Sequence, residues 1–313
     1  MMRRIVCICV LALMWAASGV SPARAATCDA VVSDFNFGSV TLRSGAVNRT
    51  SGTLRITCSD PLLSVVGVCV RFGPGSGGAG ANNNPRYLRH GGGAALPYQL
   101  RLGGYGTGFG TLNETFLSVT TLLGSTGSVT VPIYAEILEA GTSFDAGWYE
   151  SVFSGTSNIE MSYGVLSCDL FAQSRPVPDF RVTANAVSSC ELDVGTMNFG
   201  NLPSLALGPV DAVAPIDVRC TEGTNYTVSL GLGDGVGVTD PALRRMTNGL
   251  ATLAYGLYRD PSRTQVWGSL PGTRATGVGS GSNQRYNVYG RIHAGQTTVL
   301  GTYTDNVVVT VNY

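Results

Sequence analysis

Apolar and polar residues alternate along this chain with a period of two, in short runs separated by glycine-rich turns. Such runs read as half-buried β-strands, and no helical period extends beyond about two turns. In the second half, strands are predicted near 192–199, 214–220, 224–232, 252–259, 285–292 and 302–312. The last of these lies in "GTYTDNVVVTVNY", where Val307, Val308, Val309, Thr310 and Val311 are β-branched residues of high strand propensity. Alternation gathers Val307, Val309 and Val311 on one face. Terminal residues ordinarily fray, yet this stretch reads as a core strand with no further strand to pair with. An uncovered edge of that kind invites aggregation. The expected fold is all-β, two tandem sandwiches, with the C-terminal one ending on a strand whose edge has no partner.

The tandem is legible as an internal repeat. Cys28 is followed by Asn36-Phe37-Gly38 and then Cys58; Cys190 is followed at the same offsets by Asn198-Phe199-Gly200 and Cys220. Tyr98 and Leu100 then answer Tyr255 and Leu257, and Phe109-Gly110 answers Trp267-Gly268. Gly147-x-Tyr149 answers Gly301-x-Tyr303, with both tyrosines expected at the corner of an immunoglobulin-like sandwich. The repeats span roughly 26–164 and 190–313, with a linker over 165–189. They imply the disulfides Cys28–Cys58 and Cys190–Cys220, and by elimination Cys69–Cys168. Each bridge is expected to contribute about 2–5 kcal/mol.

Residues 1–25 carry MMRR, a short apolar run from Ile5 to Ala17 and the Ala23-Arg24-Ala25 site of a secretory signal peptide, with cleavage expected after Ala25. Export places the six remaining cysteines in an oxidising compartment. Losing Arg3, Arg4 and Arg24 takes the 20 basic residues to 17, against 20 acidic ones. That balance offers no electrostatic footprint for nucleic acid. Every basic residue is arginine.

The frame C-x8-FG followed by a second Cys, with "LRRM", "LAYGLYRD", "VWG", "YNVYGRIHAGQ" and "GTYTDNVVVTVNY", resembles the spore coat protein U domain family. The match is dense over 190–313 and looser over 28–164. Members occur in subunits of archaic, Csu-type chaperone–usher pili, and a two-domain member resembles the tip adhesin. The resemblance implies two immunoglobulin-like sandwiches, the C-terminal one lacking its last strand, and an open groove beside the missing strand with Val307, Val309 and Val311 on its edge. A periplasmic pilus chaperone would fill it first, and after passage through an outer-membrane usher the N-terminal donor strand of the next pilin subunit would replace it. Localisation at a pilus tip on the cell surface follows, with attachment and biofilm formation as the implied function.

Only Ala26 and Thr27 precede Cys28 after cleavage, too few to cross a groove at about 3.3 Å per residue. The mature chain is therefore expected to accept a strand and not to donate one. A donor-like stretch lies internally: "DFRVTANAVSSC" puts Phe180, Val182, Ala184 and Ala186 on one face. Two readings stand for it, completion of the first domain within the same chain, or an ordinary interdomain strand.

Csu-type tips are thought to bind hydrophobic surfaces through apolar finger loops, and three segments resemble such fingers. "SDPLLSVVG" carries Leu62, Leu63, Val65 and Val66; "GGYGTGFG" carries Tyr105 and Phe109; "LEAGTSFDAG" carries Leu138 and Phe144. Strand alternation places these loops at the free end of the first domain, and those near 74–95 and 120–127 toward the second. Leu122 and Leu123 are reserve candidates. For every such side chain the alternative is burial in the core. The implied surface is hydrophobic or belongs to a host.

Catalysis finds little purchase. His90 and His293 are the only histidines, at non-equivalent positions, and no triad or HExxH can be written. The glycines near 103–110 and 73–84 precede no helix that could present a phosphate site. No enzyme activity, cofactor or metal site is expected. Three functional readings stand: a pilus-tip adhesin, a non-adhesive structural pilus subunit, and a secreted spore-coat or envelope protein.

Overall fold

A computed structural model describes residues 26–60, 64–105, 110–122, 124–168, 172–202, 208–297 and 299–313. The expected signal peptide and Leu62, Leu63, Phe109 and Leu123 lie outside the described residues. The described residues are all-β apart from one short 3₁₀ turn over Ala81–Asn83.

The first domain contains β1 (Thr27–Val32), β2 (Phe35–Thr41), β3 (Asn48–Ser59), β4 (Ser64–Phe72), β5 (Arg86–Leu88) and β6 (Leu96–Leu102). It continues with β7 (Glu114–Thr121), β8 (Thr126–Ile137), β9 (Gly147–Phe153), β10 (Ile159–Val165), β11 (Gln173–Pro176) and β12 (Phe180–Val187). One sheet has the order β1-β3-β8-β6-β5; the other layer consists of β11-β10-β4-β7 and β2-β12-β9. Burial alternates along β1 and β9, and along β12 except at Thr183, which is buried between Val182 and Ala184.

The second domain repeats this plan with β13 (Cys190–Val194), β14 (Val210–Cys220), β15 (Asn225–Leu230), β16 (Arg244–Asn248), β17 (Ala251–Tyr258), β18 (Ala275–Val278), β19 (Gln284–Ile292) and β20 (Val309–Asn312). Its sheets are β13-β14-β19-β17-β16 and β18-β15-β20. The predicted strand at 192–199 ends instead at Val194, and that at 302–312 forms a ladder only from Val309.

Cys28–Cys58 and Cys190–Cys220 join directly opposed residues of the first strand pair in each domain, with Cα atoms 4.1 Å apart in both. Cys69–Cys168 ties β4 to the segment after β10.

A second repeated device was not foreseen from the pattern. Arg86 and Arg244 are both fully buried. Arg86 donates to the carbonyls of Gly73 (Nε, 2.8 Å), Phe72 (Nη2, 2.9 Å) and Leu112 (Nη2, 2.8 Å). Arg244 donates to those of Gly231 (2.8 Å), Leu230 (3.3 Å) and Trp267 (2.8 Å). A planar guanidinium with five donors can hold several backbone acceptors at once. Burial pushes the Arg86 pKa down to about 10 and lowers that of Arg244 as well. These bonds match Leu112, not Phe109, to Trp267, which corrects the expected correspondence by three positions. The pairs Leu112–Leu100 and Trp267–Leu257 agree with it, each a backbone bond of 2.8 Å.

Two residues, Ser188 and Ser189, separate β12 from β13. Ser189 N–H donates to Thr221 Oγ1 at 2.9 Å, Thr221 N–H returns a bond to Ser189 O at 2.9 Å, and the Ser189 hydroxyl donates to Leu42 O. Across the same joint, Ser44 N–H donates to Glu191 Oε1 at 3.1 Å and Glu222 N–H to Thr142 O at 3.1 Å.

Candidate functional site

One difference between the two domains concerns the strand that closes the sandwich. In the first, β12 lies between β2 and β9, parallel to β2 from Val182–Phe35 to Val187–Thr41 and antiparallel to β9 from Phe180–Phe153 to Ala186–Gly147. Phe180, Val182, Ala184 and Ala186 point into the core and are buried. Beneath this cover Tyr149, Ser151 and Phe153 of β9 are each 0% exposed.

In the second domain both flanking segments exist and no described strand stands between them. Asn198-Phe199-Gly200 repeats the turn of Asn36-Phe37-Gly38: the Asn side chain accepts from the Gly N–H at 2.8 Å in each, with Gly φ of +66° and +76°. Tyr303 repeats Tyr149, its hydroxyl donating to the carbonyl four residues upstream at 2.9 Å in both domains. Between Met197 and Phe199 on one side and Tyr303, Asp305 and Val307 on the other lies a cleft of about 530 Å³. Its floor is apolar, built from Ile216, Leu230, Met246, Leu257 and Val288. Val307 and Val309 line this cleft and are half-buried, as are Tyr303 and Asp305; Val311 is half-buried but lies outside the cleft lining. Thr304 bridges to Thr247, and apart from that isolated pair no described strand accompanies residues 303–307. A polar pair reaches the cleft: Tyr255 OH donates to Asp305 Oδ2 at 2.6 Å, and burial with this carboxylate raises the phenol pKa.

The expected contact loops separate. Val66 and Phe144 are only 1% and 7% exposed, so both are core residues and not surface fingers. Val66 faces inward because alternation along β4 turns Val65 out and Val66 in. Tyr105 packs edge-on against Tyr134 with centroids 4.9 Å apart and donates to Thr50 O at 3.1 Å, which pins it to the β3–β8 face. Leu138 is exposed, but its loop meets the second domain: Thr142 Oγ1 donates to Gly281 O at 3.0 Å. The loop map is corrected accordingly, with 138–147 at the interdomain end and the turn after β7 at the free end. The reason is the path of the chain. It leaves β10 at the free end and runs back through β11 and β12 before entering the second domain.

That free end exposes Val65, Leu122 and Leu166, at 38%, 66% and 70%. Leu166 N–H donates to Val65 O at 3.1 Å, and Leu122 follows Thr121, the partner of Ser64, so the three border one rim. Leu166 was missed in sequence because nothing around it marked an exposed apolar residue. Its left-handed backbone, φ +64°, turns it outward. Among the described residues no cluster of three or more His, Cys, Asp or Glu could hold a metal.

The architecture is that of immunoglobulin-like pilin and adhesin domains. The Spore Coat Protein U domain model matches residues 14–156 and again 178–310, so the chain belongs to that family. Protein U of Myxococcus xanthus is 33% identical over 144 residues, which are 42% of this chain and 80% of that protein. Among solved structures, the chain resembles the tip subunit CsuE, crystallised in a pre-assembly complex with CsuC from the archaic chaperone–usher Csu pili of Acinetobacter baumannii. The TM-score is 0.51 at 17% identity, covering 92% of this chain and 100% of that one.

Proposed function

We propose that this protein is the tip subunit of a chaperone–usher pilus, exported to the cell surface, and that it joins the fibre by accepting a strand in the second-domain groove. One observation carries the reading: a single site is filled by β12 in the first domain and open in the second. An apolar cleft beside an unpaired strand recruits an extended segment, whose backbone completes the ladder while alternate side chains enter the core. In the periplasm that segment belongs to a chaperone; after the usher it belongs to the next pilin subunit. The first domain, supplied by its own β12, needs no such partner and is free to face outward. Its Val65–Leu122–Leu166 rim suits a hydrophobic or host surface better than solvent. The reading assigns the protein no catalytic role.

The test is purification of the full chain from the periplasm of its own host. Recovery with a chaperone, lost on Val307→Asp or Val309→Asp, is the expected result. A stable monomer whose 303–312 amides resist hydrogen exchange without any partner would sink the reading.

A further inference from the structure

The first domain carries a template for what the second-domain groove admits. Residues 173–187 run antiparallel to the last strand in two stretches. Gln173 to Pro176 lie opposite Tyr163 to Glu160, and Phe180 to Ala186 lie opposite Phe153 to Gly147. The paired corner tyrosines and the paired arginines transfer this register to the second domain. There the place of Phe180 faces Val307, that of Val182 faces Asp305, and that of Ala184 faces Tyr303.

The surroundings of the first place differ between the domains. Phe180 is enclosed by three rings, with centroids 5.8 Å away for Phe35, 6.2 Å for Phe72 and 4.4 Å for Phe153. Their counterparts are Met197, Leu230 and Val307, all smaller and all lining the open cleft. The surroundings of the third place are kept: a tyrosine ring stands over Ala184 in one domain and beside the empty position in the other. The groove is thus wider than its template at one end and equally narrow four residues further on.

Resting on the acceptor reading above, we propose that the groove selects a segment by side-chain size. The strand enters antiparallel to 303–307, places an aromatic residue at least as large as phenylalanine against Met197, Leu230 and Val307, and carries an alanine-sized residue four positions later against Tyr303. A smaller residue at the first position leaves a void and loses dispersion contacts. A larger one at the second collides with the Tyr303 ring.

The probe is a set of synthetic peptides copying Gln173–Val187 of this chain, titrated into the full mature protein by calorimetry. Peptides with Phe or Trp at the place of Phe180 should bind, and Ala there should weaken binding about ten- to a hundredfold. Phe at the place of Ala184 should weaken it similarly. The Val307→Phe protein should reverse the first preference and favour Leu or Ala over Trp. Binding that is indifferent to these changes overturns the size rule and leaves the acceptor reading standing. Failure of every peptide overturns both.

Discussion

Tyr149 and Tyr303 hold the same corner of the two sandwiches through the same bond, each hydroxyl 2.9 Å from a carbonyl four residues upstream. Yet Tyr149 is buried and Tyr303 half-buried. β12 makes the difference, and Phe180 is its largest inward side chain. Phe180→Ala should therefore destabilise the first domain by about 3–5 kcal/mol, the usual cost of truncating a buried aromatic. Trp148 and Trp267 lie in different domains, so fluorescence of single-tryptophan variants during urea unfolding separates them. The Trp148 transition should move to lower urea while the Trp267 transition stays.

Arg244 should be as structural as Arg86. Arg244→Met removes donors from the buried carbonyls of Leu230, Gly231 and Trp267. Each unsatisfied acceptor costs about 1–3 kcal/mol, so the second domain should lose about 3 kcal/mol or more. Arg244→Lys should not rescue it, because one ammonium cannot reproduce the planar fork. The Trp267 transition reads both variants.

The interdomain joint should loosen in acid. Glu191 has its pKa lowered, first by the Arg219 hydrogen bond within the second domain, and to a lesser degree by the Ser44 N–H and the Arg43 charge across the joint, so only this smaller part of the linkage holds the domains together. A carboxyl depressed in the folded state stabilises it above its ordinary value of 4.5, and that contribution is lost as pH falls through the lower folded value. The pair is partly exposed, so the effect is modest. Small-angle scattering should show a wider distribution of interdomain distances below pH 4.5 than at pH 7, and Glu191→Gln should show it at pH 7.

At the free end, replacing Val65, Leu122 and Leu166 together by Ser should abolish attachment to hydrophobic plastic. Each is exposed, so the melting temperature should hardly move. Val66→Ser, one residue from Val65, should instead lower it, because Val66 is buried. Attachment that survives the triple variant would place the contact elsewhere.

Alternation and the cysteine frame carried much of this architecture into view. The Cys–NFG–Cys spacing is local chemistry, and strand propensity makes Val307–Val311 conspicuous without any partner in sight. Arg86 and Arg244 were invisible as staples because a lone arginine in a polar-looking loop reads as solvated. Only the fold brings it beneath three carbonyls. The same loops hide β5 and β16, too short for a period of two to register. The loop map failed where β10 ends, since nothing in residues 165–179 reveals that the chain must travel back along the sandwich before leaving it. Phe109-Gly110 resembles Trp267-Gly268 as an aromatic–glycine pair, whereas backbone bonds decide the correspondence and select Leu112.

The two-residue spacer between β12 and β13 governs how the molecule bears tension. A pull between the free end and the second domain draws β12 lengthwise past β2 and β9. Ladder bonds lie across the strands, so this load shears them together instead of peeling them off singly. The element that completes the first fold is also the tether by which the whole domain hangs.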